Sequence, residues 1–444
     1  MGKGSQHRPD AVRRLAVFGP RQHSGVSVRK PLACAMLCPH HRPMELDPDF
    51  CHRALASRDA RFDGRFFIAV RSTGIYCRPI CPARTAKREN IAVYPTAAAA
   101  QEAGFRPCLR CRTEAAPDSG AWRGVANSGH SHTVARALAL IEQGALDDAG
   151  VAELVDKLGV GERQLRRLFA EHVGASPLAV AQTRRVLLAK QLIHETRLPL
   201  TDIAFAAGFG SVRRFNEVFR QLYRRAPGEL RRDASACQNA PGEVSLLLRY
   251  RPPYHWPDML AQLAAQAVPG LEAIQGEVYA RAFCWRGVAG TLSVAPTRHP
   301  ALLVTVRTRQ WQALSDILAR MRAMLDLAAD PDCIERHLAQ DPALAERIAA
   351  RPGLRLLGAW SVAERTWKRE TAPNDRAIWL SRHGCPLPAA DPAFPSLSHA
   401  FPPSPNIEDD MPCAAEPDDC DHMPAPAHRD AWRPWRAYAR RYLD

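Results

Sequence analysis

A chain of 444 residues is too long for one hydrophobic core, and its 46% of hydrophobic residues is enough to fill several. Lys and Arg number 60 against 46 Asp and Glu, a formal net charge of +14 that favours a polyanionic partner. The 13 cysteines are an odd set whose clear pairs have metal spacing, and no apolar run reaches membrane-span length. This excludes a disulfide-built secreted domain and a transmembrane helix, and points to a reducing cytoplasm.

In chain order, residues 1–43 lack periodicity and are expected to be a disordered extension or the product of a start codon placed too early. Their one apolar stretch, LACAML, is shorter than a signal-peptide core, so export is not expected. Patterning begins at Met44. Apolar residues from Phe66 to Val70 predict a strand that leads into GIYCRPICPAR, and Thr96 to Gly104 predicts a short Ala-rich helix before GFRPCLRCR. Residues 116–132 are Gly/Ser-rich and read as a linker. From Thr133 to about Arg232 every segment is helical. VARALALIEQG ends at Gly144, and VAELVDKLGVGERQLRRLFAEHVG is two helices with a turn at Gly159. The same pattern returns in LTDIAFAAGFGSVRRFNEVFRQLY with its turn at Gly208, and the apolar helix from Leu178 to Ile193 joins the two halves. Residues 244–358 change to mixed elements: VSLLLRY, EVYARAFCW and ALLVTVR as strands, WPDMLAQLAAQAV and LSDILARMRAMLDL as amphipathic helices. From Ser361 the pattern decays. Residues 386–430 are Pro-, Ala- and acid-rich with no assigned element, and a final helix is expected in WRPWRAYARRYL.

Cys77 and Cys81 form a C-x3-C pair, and Cys108 and Cys111 a C-x2-C pair. Two such pairs across a loop are how a chain builds a tetrahedral four-thiolate zinc site. Spacing alone leaves two fates open: a closed structural site, the commoner one, or a metal that keeps a nucleophilic thiolate ionised. The surrounding arginines, Arg78, Arg84, Arg106, Arg110 and Arg112, suit a cluster that approaches nucleic acid.

The blocks GIYCRP–CPAR, ENIAVYPTAAAA and GFRPC-x2-C together resemble the N-terminal zinc module of the Ada methylphosphotriester repair proteins, over roughly residues 45–115. The resemblance implies one zinc ion and an irreversible methyl transfer from an alkylated backbone phosphate to the first cysteine, Cys77, with Cys81, Cys108 and Cys111 completing the site. Cys51, in FCHRA, superficially resembles the PCHR nucleophile of the alkylguanine transferases. The proline is missing and no transferase-like domain surrounds it, so no second transfer is expected.

Residues 133–234 resemble the AraC/XylS DNA-binding domain, most closely in DIAFAAGFGSVRRFNEVFRQLYRRAPGELRR. A helix-turn-helix lays its second helix in the major groove, which makes Arg163, Arg166 and Arg167 of the first unit and Arg213 and Arg214 of the second the expected DNA contacts. Arg78 and Arg84 beside the zinc cluster join that set. Residues 244–358 resemble the N-terminal, TATA-binding-protein-like α/β domain of AlkA-type 3-methyladenine DNA glycosylases. The catalytic domain that follows in that family needs an LPGIG-like turn; this chain has RPGLRL at 351–356 and TAPND at 371–375. LPAADPAF resembles the segment with the catalytic aspartate, which makes Asp391 its positional counterpart, and AWRPWRAYARRYL resembles the final helix. The residues that would flip and enclose a base have no counterpart.

The expected fold is multidomain α+β. It comprises a disordered 1–43, a small four-cysteine zinc module (44–115), a linker (116–132), an all-α double helix-turn-helix domain (133–234), a TBP-like α/β domain (244–358) and a degenerate helical remnant of the truncated glycosylase (359–444). The expected function is stoichiometric methylphosphotriester repair on Cys77 coupled to sequence-specific double-stranded DNA binding and transcriptional activation, as a monomer that meets RNA polymerase. The alternatives are a glycosylase using Asp391, or a regulator with a purely structural zinc.

Overall fold

The computed structural model describes residues 47–117, 129–147, 150–231, 242–387, 391–401, 432–433 and 435–443, all within the unit Cys34–Asp444. The expected extension at 1–43 and the acidic stretch at 407–421 lie outside the described residues.

The first module opens with α1 (Pro48–Ser57), where Asp47 accepts from the amides of Asp49 and Phe50 and proline occupies the first turn. Next come β1 (Phe67–Val70), β2 (Ile75–Cys77), β3 (Ile91–Tyr94), the Thr96-capped α2 (Ala97–Glu102) and β4 (Arg106–Pro107). The sheet order is β3-β1-β2-β4, antiparallel except for the parallel β2–β4 pair. Strand alternation splits β1 between two small cores. Ile68 joins Cys51, Leu55 and Ile91 on one face, while Phe67 and Ala69 join Tyr76 and Ala100 on the other.

The second region is all helix: α3 (Gly129–Glu142), α4 (Val151–Leu158), α5 (Glu162–His172), α6 (Pro177–Glu195), α7 (Leu200–Ala206) and α8 (Val212–Tyr223). Helix α3 begins at Gly129, inside the stretch read as linker, because adding a turn to an existing helix costs little once it is nucleated. Gly159 and Gly208 both adopt left-handed backbone at the expected turns. At Gly208 a side chain is also excluded by space, since a Cβ would stand 2.3 Å from the Asp147 carboxylate. Helix α6 is capped by Ser176 and buried on several sides, which suits a rod lying between two helical lobes.

The third region is a five-stranded antiparallel sheet, order β5-β9-β8-β7-β6, formed by β5 (Glu243–Arg249), β6 (Glu272–Gln275), β7 (Val278–Trp285), β8 (Val288–Pro296) and β9 (Ala301–Thr308). Helices α9 (Trp256–Gln266) and α10 (Leu314–Met324) contribute Met259, Leu263, Ile317 and Met321 to its core. Sequence reasoning missed β6 and β8, and it also missed α11 (Pro331–Leu338) and α12 (Pro342–Ala350). Each of these two helices starts with an Asp-Pro pair, an N-cap followed by a first-turn proline, which is a legible signal.

Beyond Ser361 the chain is more ordered than its decayed periodicity predicts. Helices α13 (Val362–Glu370) and α14 (Pro373–His383) bury Trp367 and Leu380 against Val268 and Leu271. A small ladder of β10 (Cys385–Pro386) and β11 (His399–Ala400) follows, and α15 (Arg436–Leu443) packs Trp435, Tyr438 and Tyr442 against α11 and α12. The pattern was hidden because α13 buries few apolar residues; its inner face is held by buried charge, with Glu364 taking a position that periodicity reserves for a hydrophobe.

Candidate metal centre and nucleic-acid interface

The cysteines meet because of one register. The parallel β2–β4 pairing sets Tyr76 opposite Pro107, so Cys77 and Cys108 emerge side by side from neighbouring strands. Cys81 returns through a turn in which its amide donates to Arg78 O, and Cys111 closes the second turn. The four Sγ atoms lie within 4.8 Å of one another. Tetrahedral zinc with Zn–S bonds of about 2.3 Å needs sulfurs about 3.8 Å apart, so the set fits a single zinc ion held by four cysteines. The four thiols crowd one another: hydrogen bonds with Cys108 and Cys111 push the Cys77 thiol above the ordinary range, and those with Cys111 and Cys77 pull Cys108 below it.

The four are not equivalent. Cys81, Cys108 and Cys111 are 4%, 5% and 7% exposed and Cys77 is intermediate as a residue, with the ligand sulfurs of all four buried. The amide of Arg78 donates to Cys111 Sγ at 3.4 Å and that of Arg110 to Cys108 Sγ at 3.3 Å, and the Ala83 amide serves Cys81. Among the described residues no backbone amide donates to Cys77 Sγ, so its charge is the least dispersed.

The arginines divide. Arg78 is buried, with Nε on Asp63 Oδ1 at 2.7 Å, a second bond to the same carboxylate, and Nη1 on Cys111 O at 3.0 Å. The guanidinium, expected among the DNA contacts, is buried here and braces the module from inside. Arg84 is exposed. Arg163, Arg166 and Arg167 are exposed at the start of α5, and Arg213 and Arg214 at the start of α8, where Ser211 caps the helix. Glu162 holds Arg166 at 2.5 Å, and Glu217 lies 3.6 Å and 3.5 Å from Arg213 and Arg214. Such exposed pairs are weak and yield readily to a phosphate.

Sequence reasoning missed Lys190. On α6, fully buried, its ammonium donates to Cys108 O at 2.7 Å and to Glu114 Oε2 at 2.5 Å. Arg112 reaches Glu195 of the same helix at 2.5 Å. A lone lysine in an apolar helix carries little signal in the sequence, because only the docking of the zinc module shows what it faces. Cys51 is in the core of α1, where burial, and then Asp47, push its thiol up to about 12, so it is inert. Asp391 lies buried against the sheet. It accepts from Thr291 of β8, from the Ala393 amide at 2.9 Å and from Arg307 of β9 at 3.2 Å. Burial would raise its carboxyl, but these donors outweigh it and hold it below the usual range.

Comparison with known proteins agrees with this geometry. Residues 50–114 match the metal binding domain of Ada, 154–233 a helix-turn-helix domain and 245–361 the AlkA N-terminal domain. The chain is 40% identical over 370 residues to the probable bifunctional transcriptional activator/DNA repair enzyme AlkA of Mycobacterium tuberculosis, covering 81% of this chain and 73% of the relative. It is 35% identical over 157 residues to the bifunctional transcriptional activator/DNA repair enzyme Ada of Escherichia coli, covering 35% of this chain and 41% of the relative. The solved DNA methyl phosphotriester repair domain of E. coli Ada is 52% identical, covering 15% of this chain and 72% of that one, with a TM-score of 0.14. With an Ada zinc-binding domain, an AraC-type helix-turn-helix and an AlkA N-terminal domain in succession, the chain belongs to the family of bifunctional AlkA/Ada transcriptional regulators and DNA repair enzymes.

Proposed function

We propose that the chain removes methyl groups from DNA methylphosphotriesters onto Cys77 and, once methylated, activates transcription from its operator. The observation that supports this is the inequality of the four cysteines: three accept backbone amide hydrogen bonds, and among the described residues no amide donates to Cys77. Zinc held by the set keeps the thiolates ionised at neutral pH. Cys77 Sγ then attacks the methyl carbon in line. The S–C bond forms as the C–O bond of the ester breaks, its electron pair stays on the phosphate oxygen, and the diester anion is restored without proton transfer. A phosphodiester is a far better leaving group than a thiolate, so the step does not reverse and each chain acts once.

Arg84 and the exposed arginines of α5 and α8 carry the phosphate and base contacts, and Arg78 does not. Two helix-turn-helix units on the rigid α6 can reach successive major grooves without a dimer. The working species is therefore a monomer, and activation implies contact with RNA polymerase. In this reading residues 44–115 are the acceptor domain, 133–234 the double helix-turn-helix and 244–358 a TBP-like scaffold. Residues 359–444 stand where the glycosylase catalytic domain would follow. Asp391, closed off by its three donors, takes no part.

Mass spectrometry after incubation with methylated DNA tests the reading. One methyl adduct on Cys77, absent in Cys77→Ser, is the expected result. Released methylated base would instead show a glycosylase, and neither product would leave a plain regulator with a structural zinc.

A further inference from the structure

Residues of the sheet domain and of the helices after it line a cavity of about 410 Å³ between α9, the 356–360 segment and α13, with Ala437 of α15 at one side. Such a volume is in the range of small-molecule sites and far larger than a bare ion needs. One wall is apolar, made by Leu263, Met324, Leu356 and Leu357. The opposite wall is ionic. Glu364 pairs with Arg281 at 2.7 Å and with Lys368 at 3.2 Å, and Glu272 pairs with Lys368 at 2.7 Å while accepting from Tyr279 Oη at 2.8 Å. Within this buried set two cations balance two carboxylates.

The cavity also carries unbalanced charge. Arg365 and Arg369 stand one turn apart on α13, both exposed and both lining the cavity, and among the described residues neither has an ion-pair partner. Arg376 joins them, with its Nε on Thr371 O at 3.1 Å and a further bond to Lys368 O, so its charge meets only carbonyl oxygens. Two guanidinium groups without ion-pair partners among the described residues, with Arg376 held nearby by carbonyl oxygens, stand beside an apolar, nucleoside-sized space, which is chemistry suited to a phosphomonoester with a planar organic body.

We propose that this cavity binds a nucleoside monophosphate, its phosphate between Arg365 and Arg369 and its base against the apolar wall. Such a site is independent of methyl transfer at Cys77.

Isothermal titration of the full zinc-loaded chain with adenosine and guanosine monophosphates, with the matching nucleosides and with inorganic phosphate tests it. The expected result is a dissociation constant on the order of 100 μM or tighter for at least one monophosphate, with both part-ligands at least about tenfold weaker. The double variant Arg365→Ala/Arg369→Ala, exposed and therefore neutral to the fold, should weaken the monophosphate at least about tenfold and keep the thermal unfolding midpoint. No saturable binding, equal affinity for the nucleoside, or unchanged affinity in the double variant would each overturn the assignment; the last would place any observed binding on the helix-turn-helix arginines.

Discussion

Cys77 differs from its three partners by a few hydrogen bonds, and the reactivity proposed for it rests on that difference. Replacing Cys77 by Ser removes the acceptor while leaving three thiolates, so methyl uptake by the chain should vanish, whereas Arg78→Lys should loosen the module by losing the fork on Asp63. Differential scanning calorimetry of the Arg78 variant should show a lower midpoint with zinc still bound. Glu364 offers a second test at this scale. Burial would raise its carboxyl, yet Arg281 and Lys368 hold it down from 4.5 to about 2. A depressed carboxyl stabilises the fold above its unfolded value and loses that contribution as pH falls. The α13 region should therefore lose stability between pH 4.5 and about 2, and Glu364→Gln should flatten that part of the acid unfolding curve. An unchanged acid limb in the variant would refute the pairing.

Among the elements, α6 touches the zinc module, its own helical domain and the sheet. Its N-terminus receives Glu102 of the zinc module on Ser176 Oγ at 2.6 Å, and its middle donates Lys190 to Cys108 O and Glu114. Near its end Gln191 reaches Leu247 O of β5 at 3.1 Å. Lys190→Met would leave Glu114 buried and short of one partner, at a cost of about 3–5 kcal/mol. Urea unfolding should register that loss, and hydrogen exchange should place it in α6 and the second cysteine turn. For the helix starts of α5 and α8, replacing Arg163 and Arg167, or Arg213 and Arg214, by Ala should lower operator affinity. The salt slope should fall by about 1 for each phosphate contact removed. A slope that stays put would assign those arginines to a solvated face.

At the scale of the whole molecule, the zinc module is wedged against its neighbours. Arg65 bonds Asp330 at 2.8 Å, and Arg251 of the sheet domain donates to Asp63 O at 3.4 Å. The core that holds Phe215 and Phe219 of α8 runs without a break into Val244, Leu246 and Val304 of the sheet. A charge change at Cys77 thus occurs inside a continuous body. Four thiolates on a dication leave two net negative charges, and methylation removes one. At about 7 Å from a phosphate this relieves about 0.6 kcal/mol in water, and several times more near a protein surface. Over several phosphates the gain amounts to roughly one to two orders of magnitude in affinity. Operator titration of methylated and unmethylated chain across a salt series should show that difference shrinking as salt rises, and equal affinities would remove the electrostatic switch.

Some of this was local enough to be written in the residues themselves. The cysteine spacing, the glycine turns at Gly159 and Gly208, the alternation of β5 and the apolar runs of β7 and β9 depend on neighbours within one element, so periodicity and motif revealed them. The rest depended on what lies across space. Arg78 turned inward because Asp63 waits on the other side of a core, and Lys190 found its partners only when α6 met the second cysteine turn. Helix α13 and its cavity escaped notice because buried ion pairs, unlike apolar stripes, leave no period in the sequence. Which of the four cysteines lacks an amide donor among the described residues, and which cations face outward, are properties of packing, and only the tertiary structure decided them.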